Sequence, residues 1–346
     1  MVSGSVTPQD RSAAKSPRPW LRAAIALVLF GALLYFFWPL LGEIRAAVDL
    51  FRGADWKWLA IALILQVISY AFLTWLNALA LEPFSGKIGF GQLAKVLTSM
   101  AFISVAIPSA GLSGVALRVH LLRKFGYYPE ESLFSLVVET TLEIFALATV
   151  AALGIAYLLN IEGFSSRDIF WLSLMGMVLA VIVLVTWRMT RDRERSRKIL
   201  VQGVHNWNHW LGRFKRLDEG KLNERLDLFQ ANVTRYSRGD VIKLVVAAYG
   251  KVILDVFTLG ACFLLFHYAI PPATLFIGYG LILSLSGLTA LPGGLLMTDA
   301  SVPVVFSWLG VAGGVALAAG LTYRLIAFWL VRFVGFFSWL DLERNR

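Results

Sequence analysis

Charged side chains inside long apolar segments are the residues of this 346-residue sequence best placed to carry chemistry. A charge at membrane depth is costly, so each one is a candidate for function. Glu143, Lys251 and Asp255 are predicted to act as a coupling site or as an ion pair that joins helices, because Lys251 and Asp255 are one helical turn apart. The full set is Arg118, Glu139, Glu143, Lys251, Asp255, Asp299 and Arg324.

Two breaks rich in proline, glycine and serine interrupt the apolar sequence close to these charges. The first contains Pro108 and Gly111, and the second contains Pro292, Gly293 and Gly294. A helix that begins after each break would direct unpaired N–H groups and the positive end of its dipole into the membrane. Glycine would let a ligand approach the backbone closely. This pattern predicts a binding site for a phosphate or carboxylate.

The arginines near the breaks are predicted to hold that anion. Arg118 follows the first break, and Arg324 lies mid-way along the last apolar run. Glu139 and Asp299 are expected to pair with these arginines when the site is empty, or to bind a cationic headgroup or a coupling proton. Structural ion pairing is the alternative role for all four residues.

Membrane-spanning helices must position these residues. Hydrophobic residues make up 58% of the chain and charged residues 16%, with a mean hydropathy of +0.69, whereas soluble proteins carry about a quarter charged residues. This composition argues against an ordinary soluble enzyme, a secreted toxin or a DNA-binding domain. The single cysteine, Cys262, excludes an intrachain disulfide and a cysteine-based metal site.

The apolar runs define the expected architecture. Six are near or above the roughly 20 residues that cross a bilayer, and they predict an all-α polytopic membrane protein with six full transmembrane helices. Residues 88–124 and 274–309 are apolar but broken, and each half is short for a crossing. We expect two re-entrant helical hairpins there, with kinked complete spans as the alternative. The six runs are 20–41, 56–81, 132–159, 169–187, 241–267 and 311–340.

The charge distribution favours the hairpins. Residues 188–243 hold 14 Lys/Arg against 7 Asp/Glu, and the positive-inside rule assigns them to the cytoplasm. Only an arrangement with two hairpins places every cationic loop in the cytoplasm. It also places there a disordered tail at 1–19, Arg332 and the final DLERNR segment. The prediction is a multi-pass protein of the cell (cytoplasmic) membrane with both termini in the cytoplasm.

The two hairpins would then enter from opposite sides and form an inverted repeat, from which many transporters build alternating access. The first membrane repeat is expected at 20–187 and the second half at 241–340. Similar spacings support this: 18 residues separate Pro108 from Gly126, and 18 separate Pro292 from Gly310.

The connector between the halves, residues 188–240, has the pattern of a basic amphipathic helix. Residues 190–240 are predicted to lie on the anionic cytoplasmic leaflet, with packing beneath the bundle as the alternative. His205 and His209 have metal-ligand spacing, but no nearby carboxylate completes a site. We therefore expect no metal and no cofactor.

Three segments are distinctive together: VALRVHLLRKFGYYPEESLFSLVVET, LTALPGGLLMTDA and SWLGVAGGVALAAGLTYRLIAFWL. Over about residues 20–340 the chain resembles the lysylphosphatidylglycerol synthase transmembrane family, the flippase-type membrane domain of multiple peptide resistance factor and its stand-alone relatives. The resemblance implies lipid translocation. Arg118, Glu139, Tyr323 and Arg324 fall at family positions.

The second break departs from the family pattern, which usually reads PGGLG followed two residues later by Glu. Leu296 replaces the last glycine and Asp299 replaces the glutamate. Full synthases of this kind carry a soluble aminoacyl-transferase domain after the membrane part. Because this chain stops at Arg346, we expect a stand-alone translocase that is not an enzyme.

The sequence thus predicts a lipid translocase, either a flippase or a scramblase, that moves an anionic phospholipid or polyprenyl-phosphate-type lipid between leaflets. Its partners would be membrane lipids and not nucleic acid. A secondary transporter of a small anionic solute, a membrane enzyme of lipid-linked glycan assembly and an accessory subunit are the alternatives. A homo-oligomer is also left open, because Gly310, Gly314 and Ala318 allow close helix packing.

Overall fold

A computed structural model of the chain describes residues 50–107, 111–159, 232, 235–288 and 295–344. The regular secondary structure in these ranges is helical. A six-residue π-helix, Leu325–Leu330, joins the last two α-helices. In chain order the α-helices are α1 (Trp56–Leu81), α2 (Phe90–Ala106), α3 (Leu112–Lys124), α4 (Pro129–Leu159), α5 (Arg238–Leu264), α6 (Pro272–Leu288), α7 (Leu295–Trp308), α8 (Gly313–Arg324) and α9 (Val331–Arg344).

Four stretches of these helices are long and apolar enough to cross a membrane. They are Trp56–Leu81, Pro129–Val150, Arg238–Leu264 and the continuous Gly313–Arg344. The first has the predicted bounds, and the others begin or end within a few residues of the predicted runs. The predicted spans 20–41 and 169–187, the tail 1–19 and most of the connector 188–240 lie outside the described residues, so the count of six stays a prediction.

α1 and α5 pack side by side in opposite directions. The Asp55 N–H donates to the Leu265 carbonyl (2.9 Å) where α1 begins and α5 ends. The Tyr236 hydroxyl donates to the Ala80 carbonyl (2.6 Å) where α5 begins and α1 ends. Burial raises the pKa of Tyr236, which keeps its hydroxyl protonated as a donor. Each end of this pair is therefore fixed by a hydrogen bond.

Exposed cations gather at the end of the bundle that holds Ala80 and Tyr236, which we call the basic end. The opposite end holds Asp55 and Leu265. There, a hydrogen bond from Lys57 lowers the pKa of Asp55, so a negative charge stays next to the start of α1, where the helix dipole favours it. The exposed cations of the basic end include Lys87, Lys95, Arg123, Lys124, Arg235, Arg238 and Arg344.

α2 and α3 form a helix pair whose base lies at the basic end. The Lys87 N–H donates to the Phe125 carbonyl (3.0 Å) at the base, and the Ser113 hydroxyl donates to the Ile103 carbonyl (3.1 Å) at the tip. Gly111 precedes α3 with φ +86°, a left-handed conformation that favours glycine. The chain therefore enters and leaves this pair at the same end of the bundle.

α6 and α7 form a second helix pair whose base lies at the opposite end. Gly278 near the start of α6 packs against the Phe306 ring near the end of α7. The same ring lies 4.8 Å from the ring of Phe263, close to the end of α5. The two helix pairs thus approach the bundle from opposite ends, while the re-entrant course and the inverted repeat stay predictions.

α2 also packs closely against α9. Thr98 and Ser338 hydroxyls are 3.1 Å apart, and Lys95 Nζ is 2.6 Å from Asp341 Oδ2. Gly335 lies directly against the backbone of Thr98, so a methyl group there would overlap the Thr98 carbonyl, whose carbon would be 2.8 Å away. A side chain at position 335 would therefore force the two helices apart.

We expect Gly335→Ala to lower the midpoint of thermal unfolding of the full chain in detergent, because overpacking costs about 1–3 kcal/mol. Gly91→Ala in α2 is the matched control, since no atom lies within 4 Å of the added carbon. Its midpoint should stay unchanged or rise, because alanine favours a helix over glycine by about 1 kcal/mol. Equal midpoints for the two variants would contradict this packing.

Candidate functional site

Arg118 on α3 is completely buried and is held by side chains from two other helices. Its Nη1 lies 2.6 Å from Glu139 Oε2 on α4, which forms an ion pair. Its Nη2 donates to Asn77 Oδ1 on α1 (2.5 Å) and to Ser135 Oγ on α4 (2.8 Å). We call these four residues the Arg118 cluster. They tie the α2–α3 pair to α1 and α4.

The neutral members of the Arg118 cluster are themselves oriented. The Asn77 amide donates to the Leu73 carbonyl (2.9 Å), which turns its oxygen towards Arg118. The Ser135 hydroxyl donates to the Ser132 carbonyl (2.9 Å), which leaves its lone pairs to accept. The guanidinium therefore meets acceptors that are already in place, and a carboxylate balances its charge.

A second group of buried polar side chains surrounds Lys251 on α5. Its Nζ lies 3.4 Å from Glu143 Oε2 on α4 and 3.2 Å from Asp255 Oδ2. Asp255 also accepts hydrogen bonds from the Ser69 hydroxyl on α1 (2.5 Å) and the Tyr279 hydroxyl on α6 (3.2 Å). We call these five residues the Lys251 cluster. It joins four helices, including the first helix of the second pair.

α4 carries one acid of each cluster. Glu139 pairs with Arg118, and Glu143, one turn further along, pairs with Lys251. The two helix pairs are thus connected through neighbouring turns of a single helix. Lys251 and Asp255 lie within ion-pair distance of each other. A coupling role for these groups stays a prediction.

Arg324 lies apart from the contacts of Arg118. It ends α8, is 8% exposed, and its guanidinium carbon lies 3.8 Å from the centroid of the Phe328 ring. The neighbouring Tyr323 ring meets the Tyr279 ring edge to face at 6.4 Å, which places it beside the Lys251 cluster. Arg118 and Arg324 thus have different partners among the described residues, and a shared anion site stays a prediction.

Several predicted site residues lie beyond these clusters. Gly111 is described and begins α3 in a left-handed conformation. Asp299 falls within the backbone of α7, but its side chain lies outside the described residues. Pro108 and the residues Pro292, Gly293 and Gly294 also lie outside them.

The sequence analysis missed several partners of the buried charges. Ser69 and Asn77 are polar residues in an apolar span, spaced so that both fall on one helical face, and that pattern was available as a signal. Tyr279 gave no such signal. Arg332, expected in the cytoplasm, is the second residue of α9 and belongs to the apolar stretch Gly313–Arg344; its position relative to the membrane stays a prediction.

Arg118→Met and Glu139→Gln should each strongly lower the midpoint of thermal unfolding, because removing one partner of a buried pair costs about 3–5 kcal/mol. The Lys95–Asp341 pair is the matched control: its 2.6 Å separation is the same, but its side chains are 48% and 43% exposed. Lys95→Met should cost no more than about 1 kcal/mol. An equal loss in Lys95→Met and Arg118→Met would contradict the importance of burial.

Comparison with known proteins agrees with the membrane architecture. Residues 20–335 match the family described as the lysylphosphatidylglycerol synthase TM region. A "UPF0104 membrane protein" of Methanothermobacter thermautotrophicus is 26% identical over 327 residues, which cover 90% of this chain and 91% of the relative. Another from Methanocaldococcus jannaschii is 23% identical over 298 residues, covering 84% and 86%. This chain therefore belongs to the lysylphosphatidylglycerol synthase TM region family of membrane proteins.

Proposed function

We propose that this protein is a lipid translocase that moves an anionic phospholipid or polyprenyl-phosphate-type lipid between leaflets. The observation that carries the proposal is an apolar groove between α1, α2 and the last helix, which is bordered by Arg332. Leu325, Trp329 and Phe333 line it and are 60%, 51% and 62% exposed. A lateral opening of this kind lets acyl chains stay in lipid while a headgroup passes.

In the proposed translocase, the buried ion pairs are the contacts that hold the helices together before a lipid binds. Arg118 is occupied by Glu139, so an anionic headgroup would have to compete with that carboxylate for the guanidinium. We infer that such an exchange loosens the α2–α3 pair from α4, because the ion pair between Arg118 and Glu139 is one of the bonds that hold them together. Opposed re-entrant hairpins would make the two halves of the cycle equivalent.

The alternatives fit the described residues less well. A small anionic solute needs a path open to water, whereas the groove beside the last helix is lined by apolar side chains. A membrane enzyme of glycan assembly would place its acids near the interface to meet a soluble donor. Glu139, Glu143 and Asp255 instead lie inside helices long and apolar enough to span a bilayer.

The basic end is proposed to face the cytoplasm of the cell membrane. Exposed cations gather there, and the positive-inside rule assigns such loops to the cytoplasmic side. α9 also finishes at this end, since Lys124 Nζ lies 3.5 Å from the Leu342 carbonyl. Both termini are proposed to be cytoplasmic.

Cysteine labelling tests this orientation. Cys262, the single cysteine of the sequence, is buried, so the native background should be low. Ser85→Cys and Ser237→Cys at the basic end should react with an impermeant maleimide only in inside-out vesicles. Ala269→Cys at the opposite end should react only in intact cells. Labelling of Ser85→Cys and Ala269→Cys from the same side would contradict the proposal.

Reconstitution tests the activity. Liposomes that contain the full chain should move fluorescent phosphatidylglycerol between leaflets faster than protein-free liposomes. Arg324→Ala should reduce that rate by about tenfold or more, because a charge-assisted contact contributes roughly 1.5–3 kcal/mol. Arg344→Ala, an exposed cation at the end of α9, is the control and should keep the wild-type rate. Movement no faster than in empty liposomes across anionic phospholipid and polyprenyl-phosphate probes would reject the proposal.

A further inference from the structure

The lateral groove has a volume of about 700 Å³ and follows the last helix past the tip of the α2–α3 pair. Leu59 and Leu63 of α1 form one wall, and Phe102 and Ala106 of α2 form a second. The π-helix and the start of α9 form the third. Among the described residues that line the groove, every one is hydrophobic except Arg332.

Arg332 is anchored within its own helical stretch by Phe328. Its Nη1 donates to the Phe328 carbonyl (2.9 Å), and its guanidinium carbon lies 3.1 Å from the centroid of the Phe328 ring. Its Nε is buried without a hydrogen-bond partner among the described residues. None of the ion pairs found in the described part of the chain includes Arg332.

Arg332 is predicted to lie at membrane depth. Twelve residues, about 18 Å of helix, separate it from Arg344 at the basic end. The hydrocarbon core is about 30 Å thick, so a last helix that crosses it with Arg344 at the membrane surface would hold the guanidinium inside the core. α2 and α9 run antiparallel, with Thr98 against Ser338, which brings Arg332 level with the last turn of α2. A cation at this depth is costly and is offset by an opposite charge or by backbone carbonyls; Arg332 has one carbonyl, and none of the ion pairs among the described residues supplies it with an acid.

We propose that the groove binds an anionic phospholipid, with its phosphate at Arg332 and an acyl chain against the aliphatic and aromatic walls. Arg332, the one cation among the described lining residues, matches the single charge of a phosphodiester, and the apolar walls match hydrocarbon. A small hydrated anion would lose water against the same walls and gain few contacts. The inference rests on the proposed function in taking a lipid as cargo, and it adds the residue that meets the phosphate in mid-bilayer.

Photo-cross-linking tests the site on the full chain in phosphatidylcholine liposomes. The probe is phosphatidylglycerol with a diazirine in one acyl chain, and diacylglycerol with the same chains is the control without a phosphate. Peptide mapping should place phosphatidylglycerol adducts on groove residues such as Trp329, Phe333 and Phe102. Arg332→Gln should reduce those adducts by about tenfold or more, since a charge-assisted contact to phosphate is lost. Arg332→Lys should keep a larger part of them, and Arg344→Gln should keep all of them.

The possible results distinguish a failure of the lipid site from a failure of the proposed function. Adducts that map outside the groove, adducts equal for the two lipids, or adducts unchanged in Arg332→Gln would overturn the site. A groove filled by residues 20–41 of the same chain would appear as protection from both probes and would also overturn it. Adducts that depend on Arg332, together with no transbilayer movement, would support the lipid site and reject translocation. Circular dichroism and a normal unfolding midpoint for Arg332→Gln establish that the variant is folded.

Discussion

The need to neutralise charge away from water governs how these helices pack. Arg118 is completely buried, and its charge is tolerated only because Glu139, Asn77 and Ser135 surround it with acceptors. Meeting this need requires α3, α4 and α1 to converge at one point. Lys251 imposes the same requirement on α4, α5, α1 and α6 through Glu143 and Asp255. In lipid, apolar surface alone gives helices little reason to prefer one partner over another, so these polar contacts specify which helices meet.

The sequence predicts the helices better than it predicts their contacts. The run 56–81 coincides with α1 because an apolar stretch there is bounded by Asp55 and Glu82, and the breaks near Pro108 and Pro292 separate α2 from α3 and α6 from α7. Periodicity also indicates that Lys251 and Asp255 lie on one face. Which residues of other helices those charges meet is a tertiary property. Tyr279 and Ser135 therefore could not be assigned from spacing, since nothing local distinguishes them from other hydroxyl groups in apolar helices.

Arg332 shows that a cation near the end of an apolar run can belong to the helix itself and not to a following loop. The positive-inside rule weighs cations in loops, and the predicted order of crossings brings Arg332, near the end of the run 311–340, to the cytoplasmic side. The helix does not end there, since α9 continues to Arg344 and carries apolar groups such as Phe333 and Phe336 past the arginine. Stacking on Phe328 and the hydrogen bond to the Phe328 carbonyl let the guanidinium remain in this segment. A polar residue beyond an apolar run is therefore a boundary only where the following residues are also polar.

The π-helix Leu325–Leu330 lies between two arginines of the last helix, Arg324 and Arg332. π-helical turns are rare and are found frequently at functional sites. Here the turn contains Phe328, whose ring lies 3.8 Å from one guanidinium carbon and 3.1 Å from the other. Two cations on one aromatic ring repel each other, and an anion between or beside them would relieve that repulsion. The Arg118 and Lys251 clusters have carboxylates to balance their charge, which makes them suited to holding helices together. The stretch around Phe328 borders the apolar groove, so it is the part of the last helix that we propose meets a charged lipid.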